Sequence, residues 1–353
     1  MVILLINLLI IPIEYFIVSL LDGVPKAKKK LFLLIAFIQL FVVHAFLDPD
    51  VMEDLPGYLE TYDLIKDNSL LYSLVTGYVG VKMEPGWVLI CKTLSFFSSN
   101  SFTIIYFSSF VIVGLYCISI YRYSSIAWIS IFLFLCTTFG QSLFVLRQHT
   151  AMVICLASIP LVVDRKLWKF LLVIAIACTI HMTSIIFLPL YFVYSLNISR
   201  GFYIKLIVIA IICWLLSSTV FMWFFDNSWY NSYVDADGAN LTNFAILGCV
   251  LLFYLFASNW NISKLTGAEK CFFLMCCLGA IMSLAGAGFS PTNRLIKYYY
   301  ISILFLVPYG IKKLHSGPVK VFAAAAILIA FFVLFFSGSN IEYLKDYNLM
   351  FLK

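Results

Sequence analysis

The stretch VILLINLLIIPIEYFIVSL, residues 2–20, is an apolar run that the basic stretch PKAKKK follows at residues 25–30. A run of about 20 such residues is long enough to cross a bilayer as a helix. No basic residue precedes the run, whereas lysines follow it, and this order is the reverse of a cleavable signal peptide. The positive-inside rule therefore predicts an extracytoplasmic N-terminus and a cytoplasmic segment at residues 22–30.

Apolar runs of this kind recur along the whole chain. Its 353 residues are 63% hydrophobic and 11% charged, which is more apolar surface than a soluble core needs. The runs are continuous and rich in Leu, Ile and Phe, without the alternation of a membrane β-barrel. We therefore predict an all-α, polytopic integral membrane protein, a single transmembrane domain over residues 1–353 with about ten spans plus short re-entrant helices.

The charges between the runs predict which side of the membrane each loop occupies. Residues 48–85 form an acidic loop and residues 226–241 a second one, and both are predicted to be extracytoplasmic. The basic segments 164–169, 200–205, 264–270 and 312–320 are predicted to be cytoplasmic. The expected spans lie near residues 2–20, 31–47, 102–121, 125–139, 143–163, 203–225, 242–258, 271–289, 296–311 and 319–337.

Two segments are too short for simple spans. Residues 170–196 have basic segments on both sides, which requires an even number of crossings, yet two full spans would need about 40 residues. We expect two short helices broken near His181. Residues 86–97 are also too short to cross and carry Lys92, so they are interpreted as a partly inserted helix.

Several function classes find no support in the sequence. It contains no Walker A loop, nucleotide-binding glycine fingerprint or Cys/His metal cluster, and most of the ten cysteines lie inside apolar runs. The net charge of +6 is modest and lies in short loops, which argues against nucleic acid as a partner. The acidic pairs Asp48/Asp50 and Asp235/Asp237 are a weak signal for a metal, and we predict neither a metal nor a cofactor.

Two arginines precede or open apolar runs at the outer surface. Arg147, with Gln148 beside it, lies at a predicted helix N-terminus, where the helix dipole disfavours a cation. An anion sharing the site would explain the arginine, since free N–H groups and a guanidinium fork both suit phosphate. Arg294 lies just before a helix expected to begin near Ile296, with Lys297 one turn on. The alternative for both arginines is an interfacial contact with lipid headgroups.

Two further residues are candidates for proton transfer. His181 lies at the predicted helix break, and a break at membrane depth is tolerated where protein or water surrounds it. The alternative is a histidine satisfied by a neighbouring carbonyl. Glu84 stands in the stretch Glu84-Pro85-Gly86-Trp87, where the acidic loop re-enters the membrane, and is the second candidate base.

The run Leu146-Arg147-Gln148-His149-Thr150-Ala151, the basic turn after it, and the segment from Ala177 to Ser184 resemble the EpsG-like group of Wzy-type polysaccharide polymerases. In that family an R-Q-x-x-A helix, a Lys/Arg turn and an A-x-x-x-H-x-[ST] segment occur in this order. The resemblance is best over residues 140–195. It implies a GT-C-like membrane glycosyltransferase that polymerises undecaprenyl-diphosphate-linked oligosaccharide at the outer face of the bacterial inner membrane, without a metal or nucleotide. A chain-length regulator and a flippase are the protein partners it implies.

The implied chemistry agrees with the candidate residues. Arg147, Gln148, Arg294 and Lys297 would bind the diphosphate, while His181, with Glu84 in reserve, would accept the proton of the attacking sugar hydroxyl. A single displacement of this kind would invert the anomeric centre. Two alternatives stay open, namely a lipid-linked glycan flippase or other secondary transporter, and a membrane O-acyltransferase that modifies the glycan.

Overall fold

The computed structural model describes residues 2–52, 54–76, 83–198, 241–262, 265–286, 292–314 and 317–336, together with isolated positions outside these ranges. Every regular element in the described ranges is helical, which confirms the predicted all-α fold. The first helices are α1 (Val2–Leu20), α2 (Pro25–Ala45), α3 (Asp54–Asp67), α4 (Leu70–Thr76), α5 (Pro85–Ser95) and α6 (Thr103–Tyr123).

The middle of the chain contains shorter and less regular helices. A π-helical turn, Leu135–Phe139, separates α7 (Ala127–Phe134) from α8 (Gly140–Ser142). After these come α9 (Leu146–Ala157), α10 (Ile159–Val163), α11 (Leu167–Ile180), a 3₁₀ helix (Met182–Phe187) and α12 (Leu188–Val193). The last described helices are α13 (Thr242–Ala257), α14 (Gly267–Ala285), α15 (Thr292–Tyr300), α16 (Ile303–Lys313) and α17 (Pro318–Phe336).

Five helical segments among the described residues are long and apolar enough to cross a membrane: Val2–Leu20, Thr103–Tyr123, Leu146–Val163, Gly267–Ala285 and Pro318–Phe336. They agree with a polytopic membrane protein, while the count of about ten spans stays a prediction. The expected loop 226–241 lies almost wholly outside the described residues, as does most of the expected span 203–225.

The helix expected at residues 296–311 is not continuous, while its crossing of the membrane stays a prediction. The structure has two helices there, and the chain turns at Ile301 and Ser302 between them. The amide of Ser302 donates to the carbonyl of Tyr299, and that of Leu304 to Ile301, so bonds three residues apart interrupt the α-helical pattern. The helix also begins earlier than expected, at Thr292.

The chain forms two compact units. Unit 1 contains Met1–Ser158, Leu171–Ile185 and Ala324–Lys353, and unit 2 contains Ile159–Phe170 and Ile186–Ala323. In unit 1, α6 packs against both α2 and α9, and α3 packs against α5. In unit 2, α14 packs against α13, α15 and α16. The apolar faces of these helices form the core of each unit.

The predicted break at His181 is confirmed. Helix α11 ends at Ile180 and the 3₁₀ helix begins at Met182. Within unit 2, the Arg165 guanidinium lies 4.0 Å from the centre of the Tyr191 ring, and its Nη1 donates to the Tyr191 carbonyl. The Phe170 ring stacks on the Tyr191 ring, with 5.2 Å between the two ring centres. The chain therefore returns at Tyr191 close to Arg165 and Phe170, while the even number of crossings stays a prediction.

Several polar contacts fix the end of α2 in unit 1. His44 is fully buried, and its Nδ1 and Nε2 lie 2.8 and 3.2 Å from the hydroxyls of Ser109 and Ser142, which joins α2 to α6 and α8 just before α9 begins. The Tyr347 hydroxyl donates to the Val43 carbonyl at 2.6 Å. Residues 349 and 350 continue this contact through a bridge to residue 47 and an amide bond to the carbonyl of residue 46.

Candidate functional site

Three predicted site residues meet around one carboxylate in unit 1. Nη1 of Arg147 donates to Oε2 of Glu84 at 2.6 Å, while Nδ1 of His181 lies 3.0 Å from Oε1. The backbone amide of Met182 also donates to Oε1, at 3.3 Å. Each carboxylate oxygen therefore has its own cationic or imidazole partner, and Glu84 joins the two residues to which the sequence assigned the chemistry.

The start of α5 places Glu84 between these partners. Glu84 precedes the helix in an extended conformation, Pro85 is the first helical residue, and the Glu84 carbonyl accepts the amides of Trp87 and Val88. A Cβ atom on Gly86 would lie 2.3 Å from Oγ1 and 2.7 Å from the carbonyl oxygen of Thr179. Only glycine permits this approach of α5 to the last turn of α11, two residues before His181.

Helix α9 presents Arg147 as its second residue, so the predicted position at a helix start is confirmed. The Tyr58 ring lies beneath the guanidinium, 5.9 Å from ring centre to Cζ, and Trp87 packs against that ring at 5.6 Å. Trp87 is fully buried. An aromatic face stabilises a cation that the helix dipole disfavours, so Tyr58 and Glu84 together explain how Arg147 is held.

Electrostatics keep the Glu84 carboxylate charged. Burial raises the pKa of Glu84, but the hydrogen bond from His181 and the charge of Arg147 outweigh it and lower the pKa from its ordinary 4.5 to about 2. A lowered pKa stabilises the fold at pH values above 4.5, and this contribution is lost as the pH falls towards 2. Glu84 is therefore a permanent acceptor near neutral pH.

The three side chains are partly open to the surroundings. The exposed fraction is 18% for Arg147, 18% for Glu84 and 19% for His181. None of the three is fully enclosed, and the burial of the remaining four-fifths strengthens each charged contact relative to water.

Lys92 fixes α5 against the end of α3. Its Nζ donates to the carbonyls of Ile65, Lys66 and Asn68 at 3.1, 2.9 and 2.7 Å. A cation is favourable at the C-terminal end of a helix, where the last carbonyls have no partner within the helix. The contact holds together the two helices that carry Tyr58 and Trp87.

The structure places the other predicted diphosphate-binding residues at two different locations. Gln148 is 1% exposed and is enclosed by protein, next to Arg147. Arg294 is an exposed residue in the first turn of α15, and the Lys297 ammonium lies 4.9 Å from the Tyr300 ring centre. Arg294 and Lys297 belong to unit 2, and their convergence with Arg147 stays a prediction.

Near the start of α15 the neighbouring helices are closely packed. The Asn243 side-chain amide donates to Oδ1 of Asn293 at 3.0 Å. A Cβ atom on Gly286 would lie 2.1 Å from Cγ2 of Thr292. These contacts fix the beginning of the helix that carries Arg294.

The acidic pairs weighed as metal ligands divide between described and undescribed residues. Oδ1 of Asp48 accepts the amide of Asp50 at 3.3 Å, in a turn that caps a 3₁₀ helix. Asp235 and Asp237 lie outside the described residues. Within the part of the chain that the structure describes, no group of three or more His, Cys, Asp or Glu residues could hold a metal ion.

The sequence did not predict the ion pair between Glu84 and Arg147 or the contact between Glu84 and His181. The paired residues are 63 and 97 positions apart, so no local pattern connects them. The one available signal was Gly86, since a glycine at the first turn of a short helix often marks a close approach of another backbone.

Comparison with known families agrees with the resemblance at residues 140–195 and extends it. The EpsG family model matches residues 30–350, which cover α5, α9 and α11 and hence the whole site around Glu84. No curated protein and no solved structure matches the chain. The chain therefore belongs to the EpsG family.

Proposed function

We propose that this protein is a glycan polymerase that transfers a growing glycan from undecaprenyl diphosphate to a sugar hydroxyl of a lipid-linked repeat unit. The observation that carries the proposal is the placement of a guanidinium and an imidazole on the two oxygens of one carboxylate. Such a site offers a cation for a leaving diphosphate and a proton acceptor for an attacking hydroxyl within one small, partly exposed region. Membership of the EpsG family supports a polymerase role.

His181 is the proposed base. With Nδ1 hydrogen-bonded to Glu84, Nε2 is the nitrogen left to accept a proton. The acceptor hydroxyl gives its proton to Nε2, its oxygen bonds to the anomeric carbon, and the bond from that carbon to the diphosphate oxygen breaks. The leaving undecaprenyl diphosphate takes the electron pair, and the anomeric centre inverts.

Arg147 is the proposed site for the leaving group. The guanidinium provides several N–H donors, of which Nη1 contacts Glu84. Charge-assisted hydrogen bonds to the diphosphate would strengthen as the bond breaks and negative charge grows on the oxygen. We propose Arg294 and Lys297 as further contacts to the same diphosphate, with Gln148 as a supporting residue.

Glu84 is proposed to orient both partners. An ionised carboxylate fixes the tautomer and the ring plane of His181, as in other carboxylate–histidine pairs, and stabilises the imidazolium that forms. Its pKa of about 2 makes it a poor proton acceptor near neutral pH, so we assign the proton to His181. The step as written uses side chains alone, with neither a metal nor a nucleotide.

We place the reaction at the outer face of the inner membrane because the positive-inside rule puts residues 48–85 outside the cytoplasm. The donor and acceptor would then be supplied by a flippase, and a chain-length regulator would act on the product.

Reconstitution tests the proposal. The purified protein in liposomes, given an undecaprenyl-diphosphate-linked repeat unit and EDTA, should yield a ladder of longer lipid-linked glycans and free undecaprenyl diphosphate. In cells that lack the protein, single lipid-linked units should accumulate on the outer face. Units trapped on the cytoplasmic face would indicate a flippase instead, and long chains lacking acyl groups would indicate an acyltransferase.

A further inference from the structure

The Arg147 guanidinium already binds an anion, and that anion belongs to the protein itself. The 2.6 Å contact from Nη1 to Oε2 of Glu84 is a short charge-assisted hydrogen bond. Both side chains are about four-fifths buried, so water competes with this pair less than with a surface ion pair. A diphosphate that approaches Arg147 therefore meets a cation whose charge is largely neutralised.

The same carboxylate contacts His181 through its other oxygen. If Oε2 loses its hydrogen bond to Arg147, the negative charge on Oε1 next to the imidazole changes, because the two oxygens share one charge. The amide of Met182 also donates to Oε1 and holds it in place when the other oxygen is released. Glu84 is thus placed to relay an event at Arg147 to His181.

We propose that Glu84 is an internal ligand of the anion site on Arg147, that a diphosphate displaces it on binding, and that the released carboxylate then interacts with His181 alone. The catalytic part of this inference rests on the proposed function. In the free enzyme Arg147 and His181 share the carboxylate. Once the donor diphosphate occupies Arg147, the undivided carboxylate favours the imidazolium that forms when the acceptor hydroxyl loses its proton. Donor binding then precedes acceptor activation.

The charged groups around the site agree with this exchange. On the α3 side, Tyr58 lies beneath the guanidinium, and Asp54 adds a further negative charge near its ring. Burial raises the pKa of Tyr58, so its hydroxyl stays neutral and does not replace the carboxylate. Cys91 on α5 also lies near Arg147, and burial raises its pKa to about 12. Glu84 is therefore the carboxylate seen in direct contact with Arg147 among the described residues.

Inorganic pyrophosphate is a suitable probe, because it has the chemistry of the leaving group without the lipid. We would titrate the purified full-length protein in lipid nanodiscs by isothermal calorimetry. Removing the internal ligand with Glu84→Gln should tighten pyrophosphate binding about tenfold, the effect of one competing charged hydrogen bond. The same variant should polymerise about tenfold more slowly or worse, because the His181 ring loses its anionic partner.

Asp63→Asn is the matched control. Asp63 is an ion-paired carboxylate on α3, 2.9 Å from Lys66, and its neutralisation changes the net charge by the same amount. Its pyrophosphate affinity should stay within about twofold of the wild type, because this pair is partly exposed and does not contact Arg147. An equal gain in both variants would reduce the effect to general electrostatics and overturn the proposal. So would unchanged or weaker binding in Glu84→Gln.

Glu84→Asp covers the case in which the glutamine variant does not fold. It keeps the charge but shortens the side chain by one methylene group, so the contact with Arg147 lengthens and pyrophosphate should bind more tightly than in the wild type, by less than in Glu84→Gln. A wild-type protein that makes no polymer, combined with tighter binding in Glu84→Gln, would refute the proposed function and leave the exchange intact. If the wild type makes polymer but Glu84→Gln does not bind pyrophosphate more tightly, the displacement of Glu84 is refuted and the proposed function is not.

Discussion

Arg147 and Arg294 occupy the same kind of position in two units, yet their surroundings differ. Each lies in the first turn of a helix, α9 in unit 1 and α15 in unit 2. Arg147 is mostly buried, contacts the Glu84 carboxylate and lies over an aromatic ring, whereas Arg294 is exposed. An arginine at the start of an apolar helix therefore does not by itself predict the surroundings of an anion-binding site. A buried cation needs a counter-charge from the protein, and the counter-charge of Arg147, the Glu84 carboxylate, also contacts His181.

We expect the largest effect from a substitution of His181, which contacts the Glu84 carboxylate that also binds Arg147. His181→Gln keeps a hydrogen-bonding side chain but has no titratable proton, so polymerisation should fall by about two to four orders of magnitude, the usual contribution of a positioned base. The measurement is the rate of glycan elongation by purified protein in liposomes. Pyrophosphate binding should persist in this variant, and elongation at the wild-type rate would remove His181 from the mechanism.

The same substitution at Arg147 and Arg294 tests whether burial distinguishes the two sites. Arg147→Lys should lower elongation by about 10- to 100-fold, because an ammonium cannot reproduce the fork of donors that joins Glu84 to a ligand. Arg294→Lys should lower it by less, about threefold, since an exposed lysine still provides a charge in water. Equal losses would mean that burial does not distinguish the two sites. Wild-type activity in Arg147→Lys would reduce Arg147 to an interfacial anchor.

The packing of α5 against α11, near Arg147, can be disturbed without changing any charge. Gly86→Ala places a Cβ atom 2.3 Å from Oγ1 of Thr179 and 2.7 Å from its carbonyl oxygen, and should destabilise the protein by about 1–3 kcal/mol through overpacking. The shift of α5 should also slow elongation. Gly57→Ala is the control, because nothing lies within 4 Å of its added Cβ. It should stabilise α3 by about 0.5–1 kcal/mol in thermal unfolding monitored in detergent.

The smallest expected effect concerns the contact between α3 and α5. Lys92→Met removes three hydrogen bonds to the end of α3, and should lower the free energy of unfolding by about 1 kcal/mol. Lys66→Met, which removes a partly exposed ion pair with Asp63, should change it by less than about 0.5 kcal/mol. Pyrophosphate affinity should fall only in the first variant, because Tyr58 and Trp87 depend on that contact. A similar pyrophosphate affinity in both variants would show that the site does not depend on the Lys92 contact.

The features that the sequence predicted depend on local pattern or on charge. The break at His181 followed from basic segments on both sides of a stretch too short for two spans, and the structure confirms it. The helix start at Arg147 followed from the apolar run after it. The turn at Ile301 and Ser302 was missed because no Gly or Pro stands beside it, since Pro308 and Gly310 come only later in the run, so nothing local marks the change of hydrogen bonding.

The contacts of the site needed the folded chain. Glu84 was a candidate because of its position at the end of the acidic loop, but its two partners lie 63 and 97 residues further along the chain, one at the start of α9 and the other at the break after α11. Hydropathy and charge place each of these residues at a helix end without specifying which ends meet. That choice depends on close packing such as the contact of Gly86 with Thr179, a property of two surfaces that no single segment of sequence contains.

The hydrogen bond from Tyr347 to Val43 has a consequence for the timing of assembly. The two residues are 304 positions apart. A ribosome that adds about 5–20 residues per second needs about 15–60 s to synthesise that stretch. Helix α2 can enter the membrane before Tyr347 is made, so the carbonyl of Val43 gains this partner only after the 304 positions between them have been synthesised. A helix made early thus reaches its final set of contacts late.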